Sequence, residues 1–334
     1  MRISTKLPYR LFPFLGKIFY TEALTITKNG RPPREVHRAS ALLGKLSDVT
    51  YRRLESRVKK QVLIGRLPQG DKDHMFLLVS KFVQFVDIKK CFPSLNINLF
   101  LKEYKNEIGF FERILITFVY NCPVRDKEKG LLYLANPFAR PGLSLSLRIL
   151  EIITSRLINK EKEFNVLVQT YVDDFAIYGD DPSRIKDFLM YAKEELNKVG
   201  LEFYGEDRPD KNSGIIDLST DGKKGERLGL LFKKKDGIVF SRLRACTKKR
   251  YLSLLRRRLS IPNISDNLKA MIVKDFFWGR FGIYRTFPER LWNDKVDRKK
   301  FEIEAFKIAK ANLPTFVLNG KELRNYIFYY AGFV

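Results

Sequence analysis

The sequence predicts a mixed α/β (α+β) chain that turns helical and basic toward its C-terminus. Three observations lead there. Short β-branched and aromatic runs alternate with helical periodicity over roughly the first 240 residues. Asn29-Gly30 and Asp236-Gly237 are turn signals between strand-like segments. From about residue 245 onward the periodicity is helical only. With 334 residues, 45% of them hydrophobic and 13% aromatic, the chain has ample material for a sizeable core.

The elements follow in order. "LTIT" and the Asn29-Gly30 turn open a hairpin, after which "RPPREV" reads as an extended, Pro-containing arm. "FLLVSKFVQFVDI" reads as a buried strand, and residues 95 to 120 as helical or mixed. Leu143, Leu147, Leu150, Ile153 and Leu157 recur at helical spacing, so a helix is expected to begin near Gly142. Strands follow around residues 166 to 178, then a helix with Ile185, Phe188, Leu189, Ala192 and Leu196 on one face. "RLGLLFKKKDGIVFSRL" is a second hairpin, and no internal repeat or low-complexity linker interrupts the series.

Charge narrows the function classes. The 63 Lys and Arg against 38 Asp and Glu give a formal net charge of +25, which favours a polyanionic partner. Residues 241–334 carry 21 basic and 8 acidic side chains, concentrated in "SRLRACTKKRYLSLLRRRL". On a helix Leu252, Leu255 and Leu259 face inward, which turns Arg256, Arg257 and Arg258 toward solvent as a surface for nucleic-acid phosphates. The stretch lacks the bulky apolar face of an interfacial membrane helix. Pro8, Pro13 and Lys17 interrupt the apolar opening before it is long enough for a signal peptide or a span, so no membrane role is expected. Cys91, Cys122 and Cys246 are scattered and odd in number, which points to a reducing, cytoplasmic setting without a disulfide framework.

Two acid pairs lie close together in "YVDDFAIYGDDPS". Asp180 and Asp181 precede Pro182 and an amphipathic helix, so Asp181 reads as a helix N-cap with Pro182 at the first helical position. Asp173 and Asp174 are flanked by β-branched and aromatic residues and belong at the tip of a tight β-hairpin, where their charges call for a cation or water. Asp87 ends another apolar strand. Were that strand to lie beside the hairpin, Asp87 and Asp173 would converge. Carboxylates without Cys or His suit Mg²⁺, or Mn²⁺ in its place, and two such ions support nucleotidyl transfer.

"FVDIKKCFPSL" at 85–95 and "YVDD" at 171–174 resemble motifs A and C of reverse transcriptases, in the usual order and at the usual separation. The resemblance implies a right-hand polymerase with fingers over 1–80, a palm of antiparallel sheet and helices over 81–240, and a helical basic thumb over 241–334. It makes Asp87, Asp173 and Asp174 the catalytic metal ligands, assisted by the carbonyl of Ile88. "KNGRPPREV" is similar to the fingers hairpin, where Lys28, Arg31 or Arg34 would meet the triphosphate. Phe92, five residues after Asp87, would lie beneath the sugar and exclude a 2′-hydroxyl. "ARPGLSLS" stands at motif B, with Gly142 admitting close approach and Arg140-Pro141-Gly142 replacing the usual Pro-Gln-Gly. "RLGLLF" is similar to the primer grip and offers Leu228 and Gly229 to nucleic acid; Lys211 comes late after Gly200-Leu201 and is a candidate general acid.

The implied activity is RNA-directed DNA synthesis from deoxynucleoside triphosphates on an RNA template, with a DNA primer or product. Atypically templated synthesis and a catalytically silent nucleic-acid scaffold are the alternatives. An RNA-dependent RNA polymerase is suggested by "GDD" at 179–181 but opposed by the Pro that follows. The short stretch after the palm leaves little room for an RNase H domain, and two histidines supply no HNH ligand set. Size and bareness resemble bacterial retron-type and defence-associated reverse transcriptases, which implies a role in anti-phage defence and leaves open a dedicated non-coding RNA, a protein partner or a homo-oligomer.

Overall fold

The computed structural model describes residues 18–28, 31–58, 79–126, 132–133, 137–208, 211–219, 225–227, 230–235, 238–279, 282–287 and 292–313. The chain forms two compact units, Met1–Ile64 with Val86–Gly214 and Gly65–Phe85 with Ile215–Val334.

The first unit opens with β1 (Thr21–Lys28) and β2 (Arg31–Ala39), an antiparallel pair running from Thr21 opposite Ala39 to Lys28 opposite Arg31. Its turn at Asn29-Gly30 lies outside the described residues. The Pro-containing arm is thus the second strand of the hairpin that the sequence suggests. Pro32 and Pro33 are accommodated because β2 sits at the edge of its sheet, where a strand can lack some N–H donors. Helix α1 (Ala41–Arg53) buries Leu43, Ser47 and Thr50, positions spaced by four and three.

Strand β3 (Phe82–Asp87) is shorter than the apolar run that predicts it, and Val83 to Val86 are buried. Helices α2 (Ile97–Glu103) and α3 (Phe110–Asn121) follow, then β4 (Val124–Asp126) and β5 (Leu132–Tyr133). Because β4 pairs in parallel with β1, the first sheet has the order β2-β1-β4-β5. Helix α4 (Ser144–Ile158) starts two residues after Gly142 and is buried almost all round, as a central helix must be. Strands β6 (Leu167–Tyr171) and β7 (Asp174–Gly179) form the predicted hairpin. Helix α5 (Pro182–Asn197) then buries Ile185, Phe188, Ala192 and Leu196. Strand β8 (Asn212–Asp217) completes a second sheet of order β6-β7-β3-β8.

In the second unit β9 (Gly225–Arg227), β10 (Leu230–Lys235) and β11 (Ile238–Leu243) make a sheet of order β11-β10-β9. Lys235 stands opposite Ile238 across the second predicted hairpin, whose Asp236-Gly237 turn lies outside the described residues. Along β11 Val239, Ser241 and Leu243 are buried while Ile238, Phe240 and Arg242 are exposed, the period-two alternation of a half-covered strand. Asn293 lies against this strand: its side-chain amide donates to the Val239 carbonyl at 2.7 Å and its oxygen accepts from Ser241 N–H at 2.8 Å. Asp294 N–H adds a bond to the Ser241 carbonyl at 3.2 Å.

Helices α6 (Ala245–Leu259), α7 (Asp266–Trp278) and α8 (Lys295–Asn312) follow among the described residues of this unit. The expected inward face of α6 is observed, since Leu252, Leu255 and Leu259 are buried. They share a core with Phe276, Phe277, Trp292 and Phe301, in which Trp292 meets Phe301 edge-on at 5.3 Å. No helix among the described residues is long and apolar enough to cross a membrane.

Candidate active site

The acid-bearing turn is made by Val172 and Asp173, with Tyr171 and Asp174 paired at its base. Buried Val168, Gln169 and Thr170 on one strand and Phe175, Ala176 and Ile177 on the other hold the hairpin in the sheet. Phe175, the residue after Asp174, packs edge-on against Phe203 at 5.3 Å. Val172 adopts φ +57, a left-handed conformation that a β-branched residue enters only at a cost.

Backbone hydrogen bonds bring three segments together at this turn. Ile88 N–H donates to the Asp173 carbonyl at 2.8 Å, Asp87 N–H to the Lys211 carbonyl at 2.8 Å, and Tyr204 N–H to the Asp87 carbonyl at 3.0 Å. The end of β3 therefore lies between the acid turn and Lys211, the residue that precedes β8. The segments that carry Asp87 and Asp173 are thus adjacent through their backbones.

The charges respond to that convergence. Burial pushes the Asp87 carboxyl above its ordinary value; its bond to Lys211 opposes this, and the nearby Asp174 and Asp173 reinforce it. Burial likewise raises Asp173, with Asp174 adding to the effect, while its own backbone bond, Lys211 and Arg34 pull the other way. Two carboxyls held up by desolvation and by neighbouring carboxylates, Asp174 in both cases, mark a place where positive charge is stabilising. Lys211 supplies one such charge. Its Nζ lies 2.5 Å from Asp87 Oδ2, and that bond holds the ammonium above its usual pKa. The Tyr204 ring, with its centroid 6.0 Å from the same nitrogen, borders the pair.

The donor chemistry fits a hard divalent ion, because Asp87, Asp173, Asp174 and the Ile88 carbonyl offer oxygen alone. The carboxylates act on one another electrostatically, yet among the described residues no group of three or more His, Cys, Asp or Glu is gathered so as to hold a metal ion. Asp87 Oδ2 is bonded instead to the Lys211 ammonium, a partner 124 residues away that motif spacing alone does not reveal.

The other residues that the sequence singles out divide sharply. Asp181 caps α5, its carboxylate accepting from Ser183 N–H at 2.8 Å and from the Ser183 hydroxyl at 2.7 Å, and Asp180 is exposed beside it. Arg34 is exposed on β2 and its charge is felt at Asp173. The side chains of Lys28 and Arg31 lie outside the described residues, as do Leu228 and Gly229. Phe92 is half-buried in the single helical turn Cys91–Ser94, entered through Lys90 at φ +44. Ile88 is buried and bridges to Phe203. Arg256, Arg257 and Arg258 are exposed on α6, with Arg256 3.5 Å from Glu304.

Two motif B residues have intramolecular reasons. Gly142 adopts φ +100, and a Cβ there would lie 2.5 Å from the His37 carbonyl oxygen and 2.8 Å from Val36 Cγ1. The close approach that this glycine permits is to β2, whose His37 N–H also donates to the Pro141 carbonyl at 2.6 Å. Arg140 is 2% exposed, and its guanidinium bonds to Thr21 Oγ1 and to the carbonyls of Tyr120 and Cys122 at 3.0, 2.7 and 2.8 Å. Arg140, one residue before the glutamine position that Pro141 fills, thus ties β1 to the end of α3. A single arginine in "ARPG" carries no signal of that role.

No protein-family model matches the sequence, and no curated protein matches it. Solved structures do. The apo telomerase of Candida tropicalis aligns with a TM-score of 0.52 at 14% identity, over 95% of this chain and 65% of that one. The telomerase of Candida albicans, in complex with a TWJ fragment of telomeric RNA, aligns with a TM-score of 0.51 at 11% identity, over 98% of this chain and 66% of that one. A C-terminally truncated Candida tropicalis form reaches 0.49 at 17% identity, over 67% and 55% of the two chains. This chain spans less than two thirds of the length of each telomerase chain. At such identities the correspondence is one of architecture, and the fold resembles that of these telomerase chains.

Proposed function

We propose that the protein is an RNA-directed DNA polymerase that makes complementary DNA from deoxynucleoside triphosphates. The observation that carries this reading is the Ile88 N–H to Asp173 carbonyl bond, which sets the end of β3 against the acid turn. Mg²⁺ or Mn²⁺ held by Asp87, Asp173, Asp174 and the Ile88 carbonyl would activate the attacking 3′-hydroxyl and neutralise the departing pyrophosphate. Arg34, with Lys28 and Arg31 on the same hairpin, binds the triphosphate, and Phe92 sits beneath the sugar. Lys211 donates a proton to the leaving pyrophosphate. Leu228 and Gly229 hold the primer strand, and Arg256, Arg257 and Arg258 grip backbone phosphates. A bacterial, cytoplasmic, defence-associated setting, with a dedicated RNA and a protein partner or second copy, completes the proposal.

Primer extension with Mg²⁺ on RNA and DNA templates tests the reading. The parent chain is expected to extend on RNA, and Asp173→Asn to lose extension while keeping its fold. Extension that survives in Asp173→Asn at the parent rate refutes it. Arg140 favours one second reading, atypically templated synthesis. Its guanidinium is committed to Thr21, Tyr120 and Cys122, and Pro141 stands in place of the usual glutamine, so neither offers a polar side chain to the nascent base pair. Product sequences that ignore an added template would select that reading.

A further inference from the structure

The starting point is a cation already bonded to Asp87. Lys211 Nζ lies 2.5 Å from Asp87 Oδ2, and the two residues are also joined through the backbone by Asp87 N–H and the Lys211 carbonyl at 2.8 Å. The backbone bond fixes where the lysine stem begins. Beyond it, a flexible four-carbon stem lets the ammonium change partners without moving the strand. The Asp87 side chain is 22% exposed and that of Lys211 38%, so water reaches the pair and a displaced ammonium can be solvated in place.

An ammonium against one carboxylate oxygen and a divalent ion on the same carboxylate repel one another. They also compete for the same lone pairs. We propose that Lys211 is a built-in competitor for the divalent cation at Asp87, filling the cation's place in the metal-free protein and yielding it when the ion binds. This inference rests on the reading of Asp87, Asp173 and Asp174 as a metal site, and it adds a property that the donor set alone does not have. Metal affinity at the acid turn is held down by a residue that is not a ligand, and it rises when that residue is removed. Such a coupling is reciprocal: whatever draws Lys211 off Asp87 tightens the metal, and the metal releases Lys211.

The test is a Mn²⁺ titration of the full chain without nucleotide, with free Mn²⁺ read by electron paramagnetic resonance. Lys211→Met is expected to bind Mn²⁺ about fivefold to tenfold more tightly than the parent, the scale of one charge-assisted hydrogen bond at a partly exposed site. Lys211→Gln, which keeps a donor for Asp87 but no charge, tightens as well, and Lys211→Arg stays within about twofold of the parent because the charge remains. Adding Asp87→Asn to Lys211→Met removes the tightened binding. If Lys211→Met and Lys211→Gln bind Mn²⁺ no more tightly than the parent while Asp87→Asn still weakens binding, the competition is overturned and the metal site stands. If Asp87→Asn changes binding in neither background, the metal site is overturned together with the competition.

Discussion

Asp87 and Asp173 are each held above the ordinary carboxylate range, burial being the largest cause in both. For Asp173 the consequence has a definite sign. A carboxyl with a higher proton affinity in the folded chain than in the unfolded one gives stability that is complete below the unfolded pKa, near 3.8, and is lost as pH rises through the folded value. At neutral pH its ionisation therefore works against folding. Asp173→Asn is expected to raise the melting temperature at pH 7 while abolishing synthesis, and the gain should vanish in thermal scans near pH 3. A gain independent of pH would trace instead to the turn itself, where Val172 sits at φ +57. Phe92 is the other residue whose role can be isolated. Replacing it by Val is expected to raise the ribonucleotide share of kcat/KM about tenfold while DNA synthesis persists, as measured by single-nucleotide incorporation.

At the scale of elements, the two acid pairs separate by their context. Asp181→Ala removes the cap of α5 and should cost about 1 kcal/mol in denaturant unfolding, with synthesis unchanged per folded molecule. Loss of synthesis without loss of stability would place Asp181 in the site after all. This distinction is legible in the sequence, because Pro182 and the helical spacing that follows it define a helix start locally. The hairpin around Asp173 is legible for the same reason. Both signals lie within about ten residues of the acids they concern. The Lys211 partner of Asp87 is not legible as such, since it depends on β8 returning beside β3 after a long excursion. Arg140 is misleading in the same way, as its three partners come from β1 and the end of α3. The arm after Asn29-Gly30 reads as part of a hairpin from its turn signal, although Pro32 and Pro33 weaken the strand signal itself. Only the edge position in the sheet makes them harmless.

For the whole molecule the controlling quantity is a net charge of +25. If the exposed arginines of α6 neutralise phosphates, replacing Arg256, Arg257 and Arg258 by Gln should weaken binding across all nucleic-acid sequences. The log-log salt slope should fall by about 0.7 to 0.9 for each phosphate no longer neutralised, as read by fluorescence anisotropy over a salt series. An unchanged slope would leave them as solvated surface. The same charge bears on how copies of the chain behave toward one another, and here Asn293 has a consequence beyond local bonding. By occupying the Val239 carbonyl and the Ser241 N–H, its amide imitates a neighbouring strand and blunts the outer rim of β11. Exposed Ile238 and Phe240 on that strand would otherwise offer a sticky, hydrogen-bonding template to a second molecule. When a polyanion is bound, the repulsion between copies that keeps such rims apart falls away. Asn293→Ala should therefore leave the free protein dispersed at low salt and make its nucleic-acid complex aggregate, seen as rising light scattering on addition of a single-stranded oligonucleotide. In this chain one asparagine guards colloidal stability at the moment when charge no longer can.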